Sequence, residues 1–260
     1  MTSFDLSKNG YIPLLYDRDA SCTSLLPFVI SDISPSLTKE TYLFLSNRNE
    51  QSPLIKDLKS FSSAICNHYF KEGRTKLGDI GTFVRGLTYS SSDVVEDSSS
   101  TVVLRSNNII NGEPANLEDL VLVCKNPSDE QILKERDIII CMANGSSSLV
   151  GKVSYFNVSS VKVATVGAFC GIYRSNNPIV KWLLQSSHYR KSIHKALQGG
   201  NGAIANVYPE DILNISFEIP QNDKLVVNTL SSIENKMLTE QKVLNYLQLL
   251  KQYLLSQMFI

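Results

Sequence analysis

The sequence predicts an α+β fold in which a strand-rich domain is followed by a long C-terminal helix with coiled-coil spacing. Between residues 76 and 220, short apolar and β-branched runs alternate with clusters of Gly, Asn and Ser, a pattern typical of short strands joined by polar turns. After Pro220 no Gly or Pro interrupts the chain, and apolar residues recur in alternating steps of three and four. Because 43% of the residues are apolar, the chain has enough material for a core.

The texture of the sequence divides the chain into four segments. Three prolines, at positions 13, 27 and 35, argue against long helices near the N-terminus, and that part of the chain has no functional assignment. The predicted segments are an unassigned N-terminal stretch (1–50), a helix and linker (51–75), the strand-rich domain (76–220) and the coiled-coil helix (221–260).

A helix is predicted from about Ser52 to Phe70. Ser52 and Pro53 suit an N-cap and a first helical position, and Gly73 is expected to mark the stop. An apolar stripe with helical spacing is formed by Leu54, Leu58, Phe61, Ile65 and Tyr69.

The strand-rich domain is predicted to contain five recognisable strands and one helical stretch. The strand runs are TVVLRS, DLVLVC, RDIIICM, SLVGKVSYF and VKVATVGAF. The helical stretch NPIVKWLLQSSHYRKSIHKALQGG is expected to end at Gly199 and Gly200. Its Trp182 is assigned to the core, and its buried face to Val180, Leu183, Leu184, Tyr189, Ile193 and Leu197.

The terminal helix is predicted to present a narrow apolar seam. Such a stripe needs a second helix, from this chain or from a partner, although packing on its own domain is the alternative. The seam residues, which we assign to an interface, are Leu230, Ile233, Met237, Leu244, Leu247, Leu254 and Met258, with Glu240 and Lys251 as its polar positions.

The charge balance and the missing motifs restrict the function. The 25 basic and 25 acidic residues give a net charge of zero, which argues against a generic nucleic-acid binder but allows a local basic face. The five cysteines form no CxxC pair, so we expect buried, reduced thiols and no zinc site. The sequence contains no G-x-G-x-x-G, Walker A or methylase motif, and its three histidines support no catalytic grouping.

No targeting or membrane segment is predicted. The N-terminal residues carry charges where a signal peptide has its apolar core, and no run approaches the roughly 18 apolar residues that a membrane span requires. We therefore expect a soluble, cytoplasmic protein.

An ordered series of motifs runs from Lys76 to the end of the chain. It comprises KLGDIGTFVRG (76–86), VLRSNNI (103–109), ERDIIICMANGSSSLVGKV (135–153), TVGAFCGIYRS (165–175), Trp182 with its helix, QGGNGAIANVYPEDILNISFEIP (198–220) and the terminal LLSQMFI. In their order and spacing these motifs resemble one half of a type I restriction–modification specificity subunit, with a single target-recognition domain at 76–220. The resemblance implies a non-catalytic subunit that recognises double-stranded DNA by sequence.

Polar loop residues within these motifs are the candidate DNA contacts. Arginine can pair with guanine O6 and N7, asparagine with adenine N6 and N7, and serine or lysine with phosphates. The candidates are Arg85, Arg105, Asn107, Asn108, Asn144, Ser146, Ser147 and Lys152. Each has a structural alternative: Arg85 as a solvated charge, Ser106 and Asn108 as turn builders, and Asn144–Gly145 as a plain hairpin turn. The glycines at 78, 81 and 86 are expected to let a loop approach DNA closely.

The resemblance also implies partners. Methyltransferase and restriction subunits would join the chain, the terminal helix serving as spacer and docking element, and S-adenosylmethionine would be held by the partner methylase, with no cofactor in this chain. The rival hypothesis is a protein-interaction adaptor with a coiled-coil handle that does not bind DNA.

The sequence departs from the family in its first 75 residues. A full specificity subunit carries two recognition domains, whereas this chain has one, and residues 1–75 are too short for another. Two explanations stay open. The chain is a half-subunit that forms a homodimer through its helices and reads a palindromic split target, or residues 1–75 are the tail of a disrupted first half whose helix pairs with the terminal helix.

Overall fold

The computed structural model describes residues 52–97, 99–157, 163–197 and 205–258, without the side chains of 257 and 258. The unassigned segment 1–50 and the glycines at 199, 200 and 202 lie outside the described residues. The chain divides into two compact units, of which one comprises residues 52–244 and the other residues 1–51 with 245–260.

The unit 52–244 combines short strands with helices. Its helices are α1 (Pro53–Tyr69), α2 (Leu77–Ile80), α3 (Val180–Leu183), α4 (Ser187–Leu197), α5 (Pro209–Leu213) and the first part of α6 (Asp223–Met258). Its strands are β1 (Thr75–Lys76), β2 (Thr82–Arg85), β3 (Thr101–Leu104), β4 (Glu113–Pro114), β5 (Val121–Val123), β6 (Ile138–Cys141), β7 (Ala143–Asn144), β8 (Val153–Tyr155), β9 (Ala164–Val166), β10 (Cys170–Arg174), β11 (Ala205–Asn206) and β12 (Ser216–Phe217). The predicted α+β class is confirmed.

Two sheets form the centre of this unit. The larger sheet has the strand order β2-β10-β6-β8-β4, and the smaller has the order β5-β3-β9. Most pairs are antiparallel, but β3 runs parallel to β9 and β4 parallel to β8. The short pairs β1–β12 and β7–β11 join segments that are distant in sequence. All five strand runs predicted from the sequence contain a strand.

The burial of strand β6 explains why the run IIIC (138–141) is apolar throughout. Ile138 and Ile140 belong to a core shared with the helices, whereas Ile139 and Cys141 belong to a core shared with the smaller sheet. A strand that is covered on both faces reads as a continuous apolar run, because neither set of alternating side chains meets water. The larger sheet is therefore the middle layer of the unit.

The core that the larger sheet shares with the helices is called the helical core below. It confirms part of the buried face that was predicted for residues 177–200. Trp182, Tyr189 and Ile193 are buried in it, as are the other members Val180, Leu183 and Leu184. The stretch nevertheless forms two helices, α3 and α4, because the chain turns at Gln185 and Ser186. The Ser186 hydroxyl donates to the Leu183 carbonyl at 2.7 Å and accepts from the Tyr189 amide, which stabilises this turn.

The predicted bounds of α1 are confirmed, with Ser52 at the N-cap and Pro53 at the first helical position. The predicted stripe is wrong at two positions, since Leu54 and Phe61 are exposed. The buried side chains of α1 are Ile55, Ser62 and Cys66. Since successive residues are about 100° apart around the helix axis, this buried face is rotated from the predicted one. It includes the small polar residue Ser62.

Two glycines are required for packing inside the chain. A Cβ atom at Gly81 would overlap the hydroxyl group of Tyr173, and one at Gly86 would overlap the carbonyl group of Gly167. That these glycines also let a loop approach DNA stays a prediction. Gly78 lies in α2, a single helical turn.

The long terminal helix is confirmed as α6, which has 36 residues. Within residues 52–244, Val226 and Leu230 are buried in the helical core, so Leu230 packs on its own domain, as the alternative allowed. Ile233 and Leu244 are also buried, and Met237 is half-buried. In the other unit Leu247 and Leu254 are half-buried, and the side chain of Met258 lies outside the described residues.

The cysteines only partly match the expectation of buried thiols. Cys66, Cys141 and Cys170 are buried and unpaired, but Cys124 is exposed, and Cys22 lies outside the described residues. Burial raises the pKa of Cys66 to about 12 and that of Cys141 to about 11. Among the described residues there is no group of His, Cys, Asp and Glu that could hold a metal ion, and no helix there is long and apolar enough to span a bilayer.

Candidate nucleic-acid interface

The carboxyl ends of four strands meet around one turn, formed by Gly167–Phe169. The Gly86 amide after β2 donates to the Cys170 carbonyl at 3.1 Å, and the Gly167 amide donates to the Leu104 carbonyl, at the end of β3, at 2.9 Å. The amides of Met142 and Ala143, after β6, both donate to the Phe169 carbonyl, at 2.8 and 3.1 Å. The turn itself continues β9. We call this end of the sheets the loop face, which comprises 85–87, 105–108, 143–148 and 167–169.

A second set of contacts joins the loops directly. The Asn144 side-chain amide donates to the Ser106 hydroxyl at 3.2 Å, linking positions 38 residues apart. Strand β7, which contains Asn144, pairs with β11 after the Gly-rich stretch, and the Val207 amide donates to the Met142 carbonyl at 2.9 Å. Three segments that the sequence presented separately therefore form one surface.

The predicted site residues all lie at this end of the sheets. Arg85 is exposed at the end of β2, and its carbonyl accepts a hydrogen bond from Gln131. Lys152 is half-buried just before β8, and its carbonyl accepts from the Cys141 amide at 3.0 Å, which places it beside the end of β6. Ser146 and Ser147 are exposed at the tip of the loop after β7.

The loop from Asn144 to Ser148 is held by its own hydrogen bonds. Asn144 Oδ1 accepts from the Ser146 amide at 3.0 Å, and the hydroxyls of Ser146 and Ser148 lie 2.8 Å apart. Arg190, on α4, donates to the carbonyls of Ser148 and Val150 at 3.2 and 3.3 Å. The same loop is therefore both a turn held by internal hydrogen bonds and an exposed polar tip.

The loop after β3 separates its two asparagines. Asn108 is 1% exposed; its Oδ1 accepts from the Arg105 amide, and its Nδ2 donates to the carbonyls of Asn116 and Glu118. A side chain so placed builds the turn and presents no atom to a duplex in this conformation. Asn107 is exposed one residue earlier.

Arg105 and Asn107 share an acidic partner. Arg105 Nη2 lies 3.1 Å from Asp119 Oδ2, and Asn107 Nδ2 donates to the same oxygen at 2.8 Å. Arg105 Nη2 also donates to the Asp119 carbonyl at 3.3 Å. The Arg105 Nε is buried and finds no partner within the described parts of the chain.

Phe169 is a residue of the loop face that the sequence analysis did not single out as a contact. Its side chain is 65% exposed, although its carbonyl accepts two backbone hydrogen bonds. The exposed ring gives this end of the sheets an apolar group that is available for contact. The only sequence signal was an aromatic residue in the short turn between two strands.

Asp119 and Arg190 were also missed, because neither carries a signal in its local sequence. Asp119 follows a loop of polar residues, and Arg190 lies within a helix whose pattern reports only its buried face. Their roles depend on contacts with residues 12 to 42 positions away.

The chemistry of the loop face is that of binding. It combines guanidinium, amide and hydroxyl groups with one exposed aromatic ring, which are the groups that contact phosphates and base edges. Beneath it lie the thiols of Cys141 and Cys170, whose pKa values burial raises well above neutrality, so both are protonated at pH 7 and are poor nucleophiles.

A comparison with known families gives one match. The family model described as Type I restriction modification DNA specificity domain matches residues 73–249, which include the larger sheet, the loop face and most of α6.

Two curated relatives are similar to this chain: the type I restriction enzyme EcoKI specificity subunit of Escherichia coli (strain K12) and the type I restriction enzyme StySPI specificity subunit of Salmonella potsdam. Each is 31% identical over 163 residues, covering 59% of this chain and 34% of the relative. The chain thus spans about a third of the length of these relatives.

Two solved structures share the fold. The HsdS subunit from Thermoanaerobacter tengcongensis has a TM-score of 0.51 at 12% identity, with 91% of this chain and 56% of that one covered. The type I restriction–modification S subunit from M. genitalium has a TM-score of 0.52 at 14% identity, with coverage of 80% and 55%.

Proposed function

This chain belongs to the type I restriction–modification DNA specificity family, and from that premise we propose that it binds duplex DNA by sequence through its loop face. In this proposal the chain is not an enzyme. It selects the site, and partner subunits carry out the chemistry.

The observation that carries the proposal is the convergence of the loop segments. The candidate contacts are spread over almost 70 residues of sequence, from Arg85 to Lys152, yet they all lie at one end of the sheets, where strands β2, β3 and β6 end and β8 begins. A rigid sheet that presents several polar loops on one side is suited to insertion into a groove, since the backbone contacts set the register and the side chains read the bases.

The polar groups at this end of the sheets suggest a division of roles. Arg85 and Lys152 supply positive charge for phosphates, and Ser146 and Ser147 supply hydroxyls that can bind either phosphates or bases. Arg105 and Asn107 are suited to guanine and adenine edges. Asn108 contributes indirectly, by holding the turn that carries them.

The family suggests the partners. We propose that methyltransferase subunits, which would bring S-adenosylmethionine, and restriction subunits assemble with this chain, with α6 as the docking element. A net charge of zero fits such an assembly, because partners can provide much of the phosphate binding. Pairing of α6 with a second copy and pairing with a helix of the same chain both remain proposals.

The test is selection from a randomised duplex library, with the chain co-expressed with its cognate methyltransferase subunit and salt held fixed. Two variants accompany the wild type. Arg85→Ala removes a cation from the loop face. Lys134→Ala removes an exposed cation that precedes β6 and therefore lies at the end of β6 away from the loop face. We expect a short enriched motif that Arg85→Ala weakens and Lys134→Ala leaves unchanged.

The outcomes separate the alternatives. A motif that recurs as an inverted pair supports a half-subunit acting as a dimer, whereas a single unrepeated motif supports one recognition domain per complex. A stable methyltransferase complex that enriches no motif would overturn the proposal and favour a protein-interaction adaptor.

A further inference from the structure

Asp119 is an acidic residue on a face that we propose to bind a polyanion. Its side chain is 77% exposed, so the carboxylate is not a buried structural group. Its Oδ2 accepts from two side chains, Arg105 Nη2 at 3.1 Å and Asn107 Nδ2 at 2.8 Å. These are the two residues of the β3 loop that are suited to base edges, so the one carboxylate holds both.

The segment that contains Asp119 is anchored to the same loop. The buried Asn108 donates to the carbonyls of Asn116 and Glu118, and the Asn116 amide donates back to the Asn108 carbonyl at 2.9 Å. Asp119 itself has a φ of 50°, in the left-handed region that Asp, Asn and Gly accept more readily than other residues. The backbone that carries Asp119 is therefore held beside the β3 loop.

The contact fixes which atoms the two side chains present. A carboxylate only accepts hydrogen bonds, so Asn107 must turn Nδ2 towards it, which leaves Oδ1 and the second Nδ2 hydrogen for another group. Adenine N6 and N7 require that acceptor and donor. For Arg105, Nε is buried, and in the described part of the chain no hydrogen bond engages Nη1, so the Nη1 end is available to a guanine edge.

We infer that Asp119 is a positioning residue for sequence readout, which orients Arg105 and Asn107 before DNA arrives. The inference rests on the proposed DNA-binding function. Ordering these side chains in advance reduces the conformational entropy that is lost on specific binding. The same carboxylate repels phosphates and partly neutralises Arg105, so it opposes binding to DNA of arbitrary sequence. Specific and non-specific affinity therefore depend on Asp119 with opposite signs.

Loss of Asp119 is expected to lower the specific affinity and to raise the non-specific affinity. A merely structural role would instead lower both affinities. Asp119→Gly removes the carboxylate and tolerates the left-handed backbone, whereas Asp119→Asn keeps the backbone and one acceptor oxygen but loses the charge. Glu118→Gln is the matched control, since it removes a charge from the exposed neighbouring residue, whose backbone carbonyl and amide make the hydrogen bonds to this loop that are seen in the described part of the chain.

The measurement is the dissociation constant of each variant, in the complex used for selection, for the enriched duplex and for a shuffled duplex of the same length. We expect Asp119→Gly to weaken binding to the enriched duplex about 10-fold and to strengthen binding to the shuffled one about twofold. Asp119→Asn should fall between Asp119→Gly and the wild type. Glu118→Gln should strengthen both slightly and equally.

Three results would count against the inference. If Asp119→Gly strengthens both complexes as Glu118→Gln does, then Asp119 acts only as a charge. If it weakens both equally, its role is structural. If the wild type binds both duplexes equally, the proposed function falls and the inference falls with it, which distinguishes this failure from the first two.

Discussion

Asp137 and Arg174 show how single residues stabilise the end of the sheet opposite to the loop face. The Asp137 side chain is 2% exposed and accepts from Arg174 Nε and Nη2 at 2.8 and 2.6 Å. Arg174 also donates to the carbonyls of Glu130 and Ile132. The hydrogen bonds to Asp137 raise the pKa of Arg174 above its usual value, so the guanidinium stays charged.

Removing one partner of this pair should destabilise the fold, because a mostly buried charge loses its counter-ion. We expect Asp137→Asn to lower the free energy of unfolding by about 3 kcal/mol, measured by urea denaturation. The control is Glu113→Gln, which breaks the exposed pair with Lys59 at 2.9 Å and should cost less than about 1 kcal/mol. Equal losses in the two variants would contradict this account.

Phe169 gives a second prediction at the scale of one residue, and it rests on the proposed function. An exposed apolar ring on a groove-binding face is suited to the C5-methyl group of thymine. Replacing one thymine of the enriched motif by deoxyuridine, which lacks that methyl, should weaken wild-type binding about fourfold at one position. The Phe169→Ala variant should be insensitive to the same replacement, as measured by duplex titration.

A result in which Phe169→Ala weakens both duplexes equally would instead indicate stacking or insertion between bases. If the wild type is insensitive at every thymine of the motif, the methyl contact is ruled out while sequence-specific binding by the other residues still stands.

At the scale of elements, a carboxylate joins the first part of α6 to the rest of the unit 52–244. Glu234 accepts from the Tyr155 hydroxyl at 2.6 Å and from Lys181 Nζ at 2.7 and 2.5 Å, and Lys181 lies 3.8 Å from the centre of the Tyr155 ring. Burial lowers the pKa of Lys181, and the contact with Glu234 opposes that shift. With Val226 and Leu230 in the helical core, this contact secures the first turns of α6.

The Glu234 contact should matter more than other ion pairs on the same helix. We expect Glu234→Ala to lower the free energy of unfolding by about 2–4 kcal/mol, because Lys181 would remain largely buried without its partner. Tyr155→Phe, which removes a single hydrogen bond, should cost about 1 kcal/mol. These values come from denaturant unfolding followed by circular dichroism.

Glu240→Ala is the control on α6, since Glu240 pairs with Lys236 one turn away and the lysine is exposed. This substitution should cost less than about 0.5 kcal/mol. A loss at Glu240 as large as that at Glu234 would show that general helix destabilisation, and not the contact with the unit, explains both.

At the scale of the whole molecule, the charge balance bears on how DNA would be bound in the proposed function. The net charge is zero, and Arg105 is partly neutralised by Asp119, so few cations of the loop face are available for phosphates. This balance supports the proposal that partners supply much of the phosphate binding.

The dependence of DNA binding on salt should therefore be shallow for the isolated chain. With about three phosphate contacts, the slope of log K against log salt should be about −3. Titration of the enriched duplex at several salt concentrations gives this slope directly. A slope near −8 would require many more contacts and would contradict the assignment of phosphate binding mainly to partners. Arg85→Ala should reduce the magnitude of the slope by about one, and Lys134→Ala should leave it unchanged.

The sequence by itself determined the class of fold, the family resemblance, the bounds of α1 and the existence of the long helix. The fold class and the helices depend on local periodicity: alternation or apolar runs for strands, and three-to-four spacing for helices. The family resemblance depends instead on the order and spacing of the motifs from Lys76 onwards. Local patterns were less reliable for the facing of α1, where Leu54 and Phe61 proved exposed, because the buried side of a helix depends on what packs against it.

Only the tertiary structure decided which polar residues lie together and which of them are exposed. It buried Asn108 and left Asn107 exposed, although the two are adjacent, and it brought Asp119 to Arg105 and Asn144 to Ser106. It also assigned Leu230 to the core of its own chain. These outcomes depend on hydrogen bonds and packing between residues that are far apart in sequence, and such contacts leave no periodic signal in the segments that make them.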